Sequence, residues 1–170
     1  MSDWTIRRAT AEDAEALARC IERAYAIYDG RDLDLPPVSE GIAEHIAAHR
    51  VWVAEAEGTI AGGLVLIVGD DAMGHGTTDG GKMGGGTTGS GSIVEQAAHL
   101  ANVAVDPNFT GRGLGRALIA QAEEDARAHG ATELRLTTHA DLEENIRLYT
   151  RLGWHEVGRD GYRVHMAKGV

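Results

Sequence analysis

Apolar residues recur along the chain at two spacings, and the switches between them predict most of the architecture. Trp4 to Arg8 alternates as a short strand, and Thr10 followed by Asp13 is a capping signal for a helix running to about Tyr28. Leu17, Ile21, Ala24 and Ile27 would line one face of that helix at spacings of three and four. Pro36 and Pro37 break the pattern, after which Ser39 can cap a second helix that buries Ile42 and Ile46 and ends before Arg50. Residues 51–56 and 59–68, separated by Glu57-Gly58, read as an antiparallel hairpin.

Residues 69–92 break the periodicity altogether. They are rich in Gly, Thr and Ser, with Met73 and Met83 as nearly the only core-forming side chains. Such an insertion is either a solvated excursion between strands or a lid over a binding site. It holds no G-x-x-x-x-G-K-[ST] pattern, which disfavours a nucleotide P-loop.

Beyond it, residues 100–105 form a strand ended by Asp106-Pro107-Asn108. Residues 112–129 form a strong helix, with Leu114, Ala117, Leu118, Ala122 and Ala126 on one face and Gly130 as its stop. A strand at 133–138, a helix at 143–152 closed by Gly153, and two strands at 154–158 and 162–167 complete the chain. The order β-α-α-β-β-β-α-β-α-β-β predicts an α+β fold, one domain over residues 1–170, with helices on both sides of a mostly antiparallel sheet.

Composition narrows the function classes. With 170 residues and 43% hydrophobic content the chain can close one core. Cys20 is the only cysteine, so no intrachain disulfide forms, and the polar first thirty residues do not resemble a secretory signal; a cytoplasmic setting is expected. No apolar run approaches the roughly 18 residues of a membrane span. A formal charge of -10 argues against nucleic-acid binding and suits a cationic acceptor better than an anionic one.

The candidate chemistry sits where the strand at 100–105 meets the long helix. Gly111, Gly113 and Gly115 allow close approach to the main chain, and the helix start offers unpaired amides and a positive dipole end, which together suit a diphosphate. The spacing is G-x-G-x-G, so the dinucleotide fingerprint G-x-G-x-x-G fails, and no repeated parallel βαβ units surround it.

The segment Asn102-Val103-Ala104-Val105-Asp106-Pro107-Asn108-Phe109-Thr110-Gly111-Arg112-Gly113-Leu114-Gly115-Arg116-Ala117-Leu118 resembles the coenzyme A motif of the GCN5-related N-acetyltransferases. Leu148-Tyr149-Thr150-Arg151-Leu152-Gly153-Trp154 resembles that family's second signature, and the likeness covers nearly the whole chain apart from 69–92. The resemblance implies a twisted sheet of about seven strands and acetyl-coenzyme A as cosubstrate, without a metal. It implies direct transfer of the acetyl group in a ternary complex to a primary amine of a small molecule or peptide, and a homodimer by analogy with relatives.

Carried over residue by residue, the resemblance implies coenzyme A contacts from Val103, Ala104 and Val105 through the splayed strand. From the loop it implies contacts by Thr110, Gly111, Arg112, Gly113, Leu114, Gly115 and Arg116. Thr110 departs from the usual Gln or Arg. Tyr149 would protonate the departing thiolate. Asn145 would contact the cofactor one turn earlier, since Leu142 occupies the position where many relatives carry Asn. A backbone amide near Ala104 would meet the oxyanion. A base must take the amine proton: His99 is the first candidate, placed on the same strand face as Ala101 and Val103, with Glu95, His139 and Asp141 as competitors. Tyr25 and Tyr28, with Asp29, Asp32 and Asp34, would shape an acceptor pocket for a cation, or only pack and solvate a loop. Cys20 lacks an evident His partner, which disfavours a covalent route. A second reading, from a different class, is an acyl-coenzyme A sensor or interaction module without turnover.

Overall fold

The computed structural model describes residues 3–31, 39–68 and 97–170. The 69–92 insertion, Asp32, Asp34, Glu95 and the Pro36-Pro37 break lie outside the described residues. Strand β1 (Trp4–Arg8) pairs antiparallel with β2 (Arg50–Ala56), and β2 with β3 (Thr59–Ile67). Glu57 and Gly58 between β2 and β3 both have positive φ, at 54° and 74°, the geometry of a two-residue hairpin turn whose twist matches the strands.

The predicted cap is present and does more than cap. Asp13 accepts from the Thr10 amide at 2.7 Å and from both terminal nitrogens of Arg7 at 2.8 and 3.0 Å, so it fastens the start of the first helix to β1. The Arg7 hydrogen bond leads the causes that hold the Asp13 carboxyl down at about 2, against the cost of its burial. Helix α1 (Ala14–Tyr25) buries Leu17, Cys20 and Ile21, then tightens into a 3₁₀ turn at Ala26–Tyr28. A 3₁₀ turn advances three residues per turn instead of 3.6, which swings Ile27 off the buried face and leaves it 62% exposed, contrary to its predicted place. Helix α2 (Ile42–Ala48) buries Ile42, but its N-cap is Gly41 at φ 73°, and Ser39 instead donates to Glu22 at 3.0 Å.

The remaining elements are β4 (Ala97–Val105), α3 (Leu114–Ala128), β5 (Glu133–His139), α4 (Glu143–Arg151), β6 (His155–Asp160) and β7 (Arg163–Gly169). Among the described residues the sheet has seven strands in the order β1-β2-β3-β4-β5-β7-β6, and β4–β5 is its one parallel pair. The predicted α+β architecture is therefore present. Leu17, Ile21 and Ile42 from α1 and α2 pack on Val51, Val53, Val65 and Ile67. On the opposite face Leu114, Leu118 and Ala122 of α3, with Ile146 and Tyr149 of α4, pack on Leu64, Leu66, Leu134 and Leu136.

One charge lies inside this second layer. Asp125 of α3 is 5% exposed and accepts from Arg50 Nε at 2.5 Å and Trp52 Nε1 at 2.8 Å, both on β2. Burial opposes its ionisation, and the two donors outweigh that, holding the carboxyl below its ordinary range. The pair ties α3 to the sheet with its charge compensated.

Candidate active site

Among the described residues strand β4 pairs with β5 only from Ala97 to His99, opposite Glu133 to Arg135. From there the strands part, while β4 keeps β3 along its other edge as far as Val105. The gap opens into a cleft of about 910 Å³, lined by the outer half of β4, the start of α3, Tyr25 at the end of α1 and Tyr28 in the turn after it, Tyr149 and Asn145 of α4, and side chains of β5 and β7.

The direction of the β4 amides follows from the register. Asp106 N donates to Ala61 O at 2.8 Å, and the pairing runs without a break from Gly62↔Val105 to Val65↔Asn102. Alternation then turns the Ala104 and Asn102 amides toward β3 and those of Val103 and Val105 into the gap. The Ala104 amide itself is thus committed to the sheet, and the amides on either side of it face the cleft, near the position expected for an oxyanion donor.

At the far end, Gly111 and Gly113 have φ of 81° and 83°, a region that favours glycine, and a Cβ on either would meet nothing within 4 Å. The first bond of the α3 ladder is Ala117 N to Gly113 O at 3.0 Å, which leaves the amides of Leu114, Gly115 and Arg116 outside it at the positive helix end. The loop is anchored from outside the cleft. Trp4 Nε1 donates to Arg112 O at 3.2 Å. Asp106, 2% exposed, accepts from Asn108 N at 2.9 Å and Arg23 Nε at 2.6 Å. Burial works against the Asp106 charge, but these donors prevail and lower its pKa. Two loop side chains spend their polar groups within the protein: Thr110 Oγ1 donates to Pro107 O at 3.0 Å, and Arg112 reaches Glu57 at 3.2 Å while covering the Phe109 ring. Arg112 does not line the cleft, unlike Thr110, Gly111, Gly113, Leu114, Gly115 and Arg116.

Tyr149 enters the cleft from α4, its ring edge-on to Trp154 at 5.8 Å. Burial, then the neighbouring phenols of Tyr25 and Tyr28, push its pKa well above the ordinary tyrosine value. Tyr25 is pushed up to about 12 by burial and Tyr28. Tyr28 OH donates to Asn145 Oδ1 at 3.5 Å, joining the end of α1 to α4 across the cleft. Among the described residues no group of three or more His, Cys, Asp or Glu could hold a metal ion, and no helix is long and apolar enough to cross a membrane.

A model of the acetyltransferase (GNAT) family matches residues 14–154. The chain belongs to that family. Membership makes it an acyl-coenzyme A-dependent N-acyltransferase. It is 30% identical over 158 residues to the uncharacterized N-acetyltransferase YjgM of Escherichia coli K12, covering 89% of this chain and 82% of the relative. It is 39% identical over 64 residues to the ribosomal protein bS18-alanine N-acetyltransferase of Salmonella typhimurium; that match spans 38% of this chain and 43% of the enzyme's own length. In fold it is similar to the PaiA N-acetyltransferase of Thermoplasma acidophilum, crystallised in complex with coenzyme A. The TM-score is 0.74, with 19% identity over 98% of this chain and 99% of that one.

Within this GNAT protein the sequence-predicted residues divide. His99, Val103, Ala104, Val105, Asn145, Tyr149, Tyr25 and Tyr28 all line the cleft, while Asp29 and Asp141 do not. His99 lies on a different face from the one expected. Leu66 pairs with Leu100 and Val65 with Asn102, so Ala101 is an extra residue in β4. That bulge reverses the alternation, and His99 opposite Ile67 shares the α1-side face with Asn102 and Ala104 instead of Val103. His139 is poorly suited to accept a proton. Its Nδ1 accepts from the Asp141 amide at 3.1 Å, which places the proton of the neutral ring on Nε2. Reading the sequence alone missed His165, Thr137 and Arg163, which line the cleft from β5 and β7, although their alternate spacing on those strands carried the signal.

Proposed function

We propose that the whole chain acts as one domain that transfers the acetyl group of acetyl-coenzyme A to a primary amine of a small molecule or peptide, by direct attack within a ternary complex. The observation that carries this reading is the parting of β4 from β5 beside an open glycine loop at a helix start. An anionic, extended ligand fits there. The loop main chain is uncovered where a diphosphate would approach, three helix amides lie beyond the ladder, and Val103 and Val105 turn backbone groups to the gap. Bound there, acetyl-coenzyme A would supply an acyl group activated as a thioester.

The roles of the side chains follow from their environments. Tyr149 stays protonated through the physiological range because burial and two phenols disfavour its anion, so it holds a proton ready for a departing thiolate sulfur. His99, on the cleft wall, receives the proton that the acceptor nitrogen loses as its bond to the acyl carbon forms. The Val103 and Val105 amides supply the donors facing the cleft that can meet negative charge on the acyl oxygen. Cys20 stands apart from this chemistry. It is fully buried, and burial, then the Asp106 charge, push its thiol up to about 11.

The test is amine-dependent thiol release from acetyl-coenzyme A across a broad amine panel. Tyr149→Phe is expected to lower kcat by about 100-fold or more with coenzyme A affinity retained. Release of no thiol with any amine, or a Tyr149→Phe enzyme as fast as the parent, would overturn the reading.

A further inference from the structure

The acidic balance of the chain suggested a cationic acceptor, yet the cleft wall carries the opposite character. Among the described residues no Asp or Glu lines the cleft, while Arg116 and Arg163 do, together with His99, His139 and His165. Arg116 sits at the start of α3, beside the glycine loop. Arg163 belongs to the other wall, on β7, directly opposite His139 of β5.

The two side chains on that wall are neighbours by register. Ala140 N donates to Tyr162 O at 2.7 Å, so the adjacent pair His139↔Arg163 is the non-hydrogen-bonded kind, in which side chains on one face come closest. Leu136 and Met166 face the α3 layer, so the alternation turns His139 and Arg163 to the opposite face. His139 is 8% exposed, stacked on Tyr162 with ring centroids 4.9 Å apart and planes 20° from parallel. With Nδ1 accepting from the Asp141 amide, its Nε2 is a donor in the neutral and protonated forms alike. Arg163 offers donors only. Asp160, across from Arg163 on β6, and Asp141, whose Oδ2 lies 3.9 Å from His139 Nδ1 on the side away from Nε2, are exposed and stand outside the cleft lining. A wall that combines a guanidinium with an imidazole locked as a donor is complementary to anionic oxygen.

We infer that the acceptor amine belongs to a molecule that also carries a carboxylate, an amino acid in the simplest case, and that Arg163 and His139 hold that carboxylate while the amine faces Tyr149 and His99. This rests on the acetyl transfer proposed above and names the acceptor class for the same site. Arg163 is the specificity-determining residue, because a guanidinium matches a carboxylate through paired hydrogen bonds.

The experiment measures thiol release from acetyl-coenzyme A with three matched sets: the standard amino acids, their primary amides, and the amines left by decarboxylation. For the side chain that is best accepted, kcat/KM for the acid is expected to exceed that for its amide and amine by about tenfold or more. Arg163→Gln is expected to raise KM for the acid at least about tenfold and to remove that preference, with KM for acetyl-coenzyme A unchanged; Arg163→Lys should keep part of it. Amides or amines used as well as acids would overturn the inference, as would a preference that survives Arg163→Gln. Coenzyme A binding measured by calorimetry on the same preparations separates the two levels. Failure to bind, or binding with no turnover of any acid, amide or amine, overturns the acetyl-transfer reading, whereas intact binding with turnover of amides or amines but of no acid overturns the carboxylate alone.

Discussion

At His99, β4 is held on both edges, by Ile67 of β3 and Arg135 of β5, whereas from Asn102 to Val105 it is held by β3 alone. The closed side of the sheet spends its polar groups on itself: Asp125 takes two donors from β2, and Asp13 takes both ends of Arg7. The open side leaves main-chain amides and the Tyr149 hydroxyl facing a cleft. Glycine shows the same division. In β3, a Cβ on Gly62 would lie 2.9 Å from Ala104 O, and one on Gly63 would lie 2.4 Å from Leu17 Cδ1, so these glycines let α3 and α1 sit close on the strand. Gly111 and Gly113 border open space instead. The same residue type therefore serves close packing in one region and, on the proposed function, ligand approach in the other.

Substitutions should separate the two regions. The largest stability effect is expected from Asp125→Ala, which leaves Arg50 and Trp52 Nε1 without their carboxylate and should cost about 3 kcal/mol. Urea denaturation measures it, and a loss below about 1 kcal/mol would show the buried pair to be dispensable. Gly63→Ala should follow, at about 1–3 kcal/mol from overpacking against the fully buried Leu17, with coenzyme A affinity preserved. The smallest effect is expected from Thr110→Ala. Its hydroxyl is turned back to Pro107 O, so coenzyme A affinity measured by calorimetry should stay within about threefold of the parent. A larger loss would place that hydroxyl on the ligand.

Much of this division was legible in the sequence. The element order, the hairpin turn at Glu57-Gly58 and the stops at Gly130 and Gly153 follow from local periodicity and turn chemistry, which act within a few residues. The glycine loop and Tyr149 were legible because their spacing is local as well. What local pattern could not show was the extra residue at Ala101. One bulge leaves hydrophobic composition almost unchanged but moves every later side chain to the other face, and so it displaced His99 from its expected company. The buried Asp125 was hidden for a different reason: its partners lie 73 and 75 positions away, and on helix periodicity it reads as one more polar residue. The basic wall of His139 and Arg163 arises from strand pairing between β5 and β7, which net charge, an average over the whole surface, does not show.

The most direct measurement is calorimetric titration of coenzyme A into the parent protein and into Gly113→Asp, with thermal unfolding of both. On the proposed function a carboxylate at Gly113 would stand in the path of the diphosphate, yet no neighbour lies within 4 Å of its Cβ. Its structural cost is confined to a left-handed backbone position, about 1 kcal/mol. The parent is expected to bind, and the variant to lose about 100-fold or more in affinity while melting within about 4 °C of the parent. Retained affinity in a folded Gly113→Asp protein would contradict the assignment of this loop as the coenzyme A site.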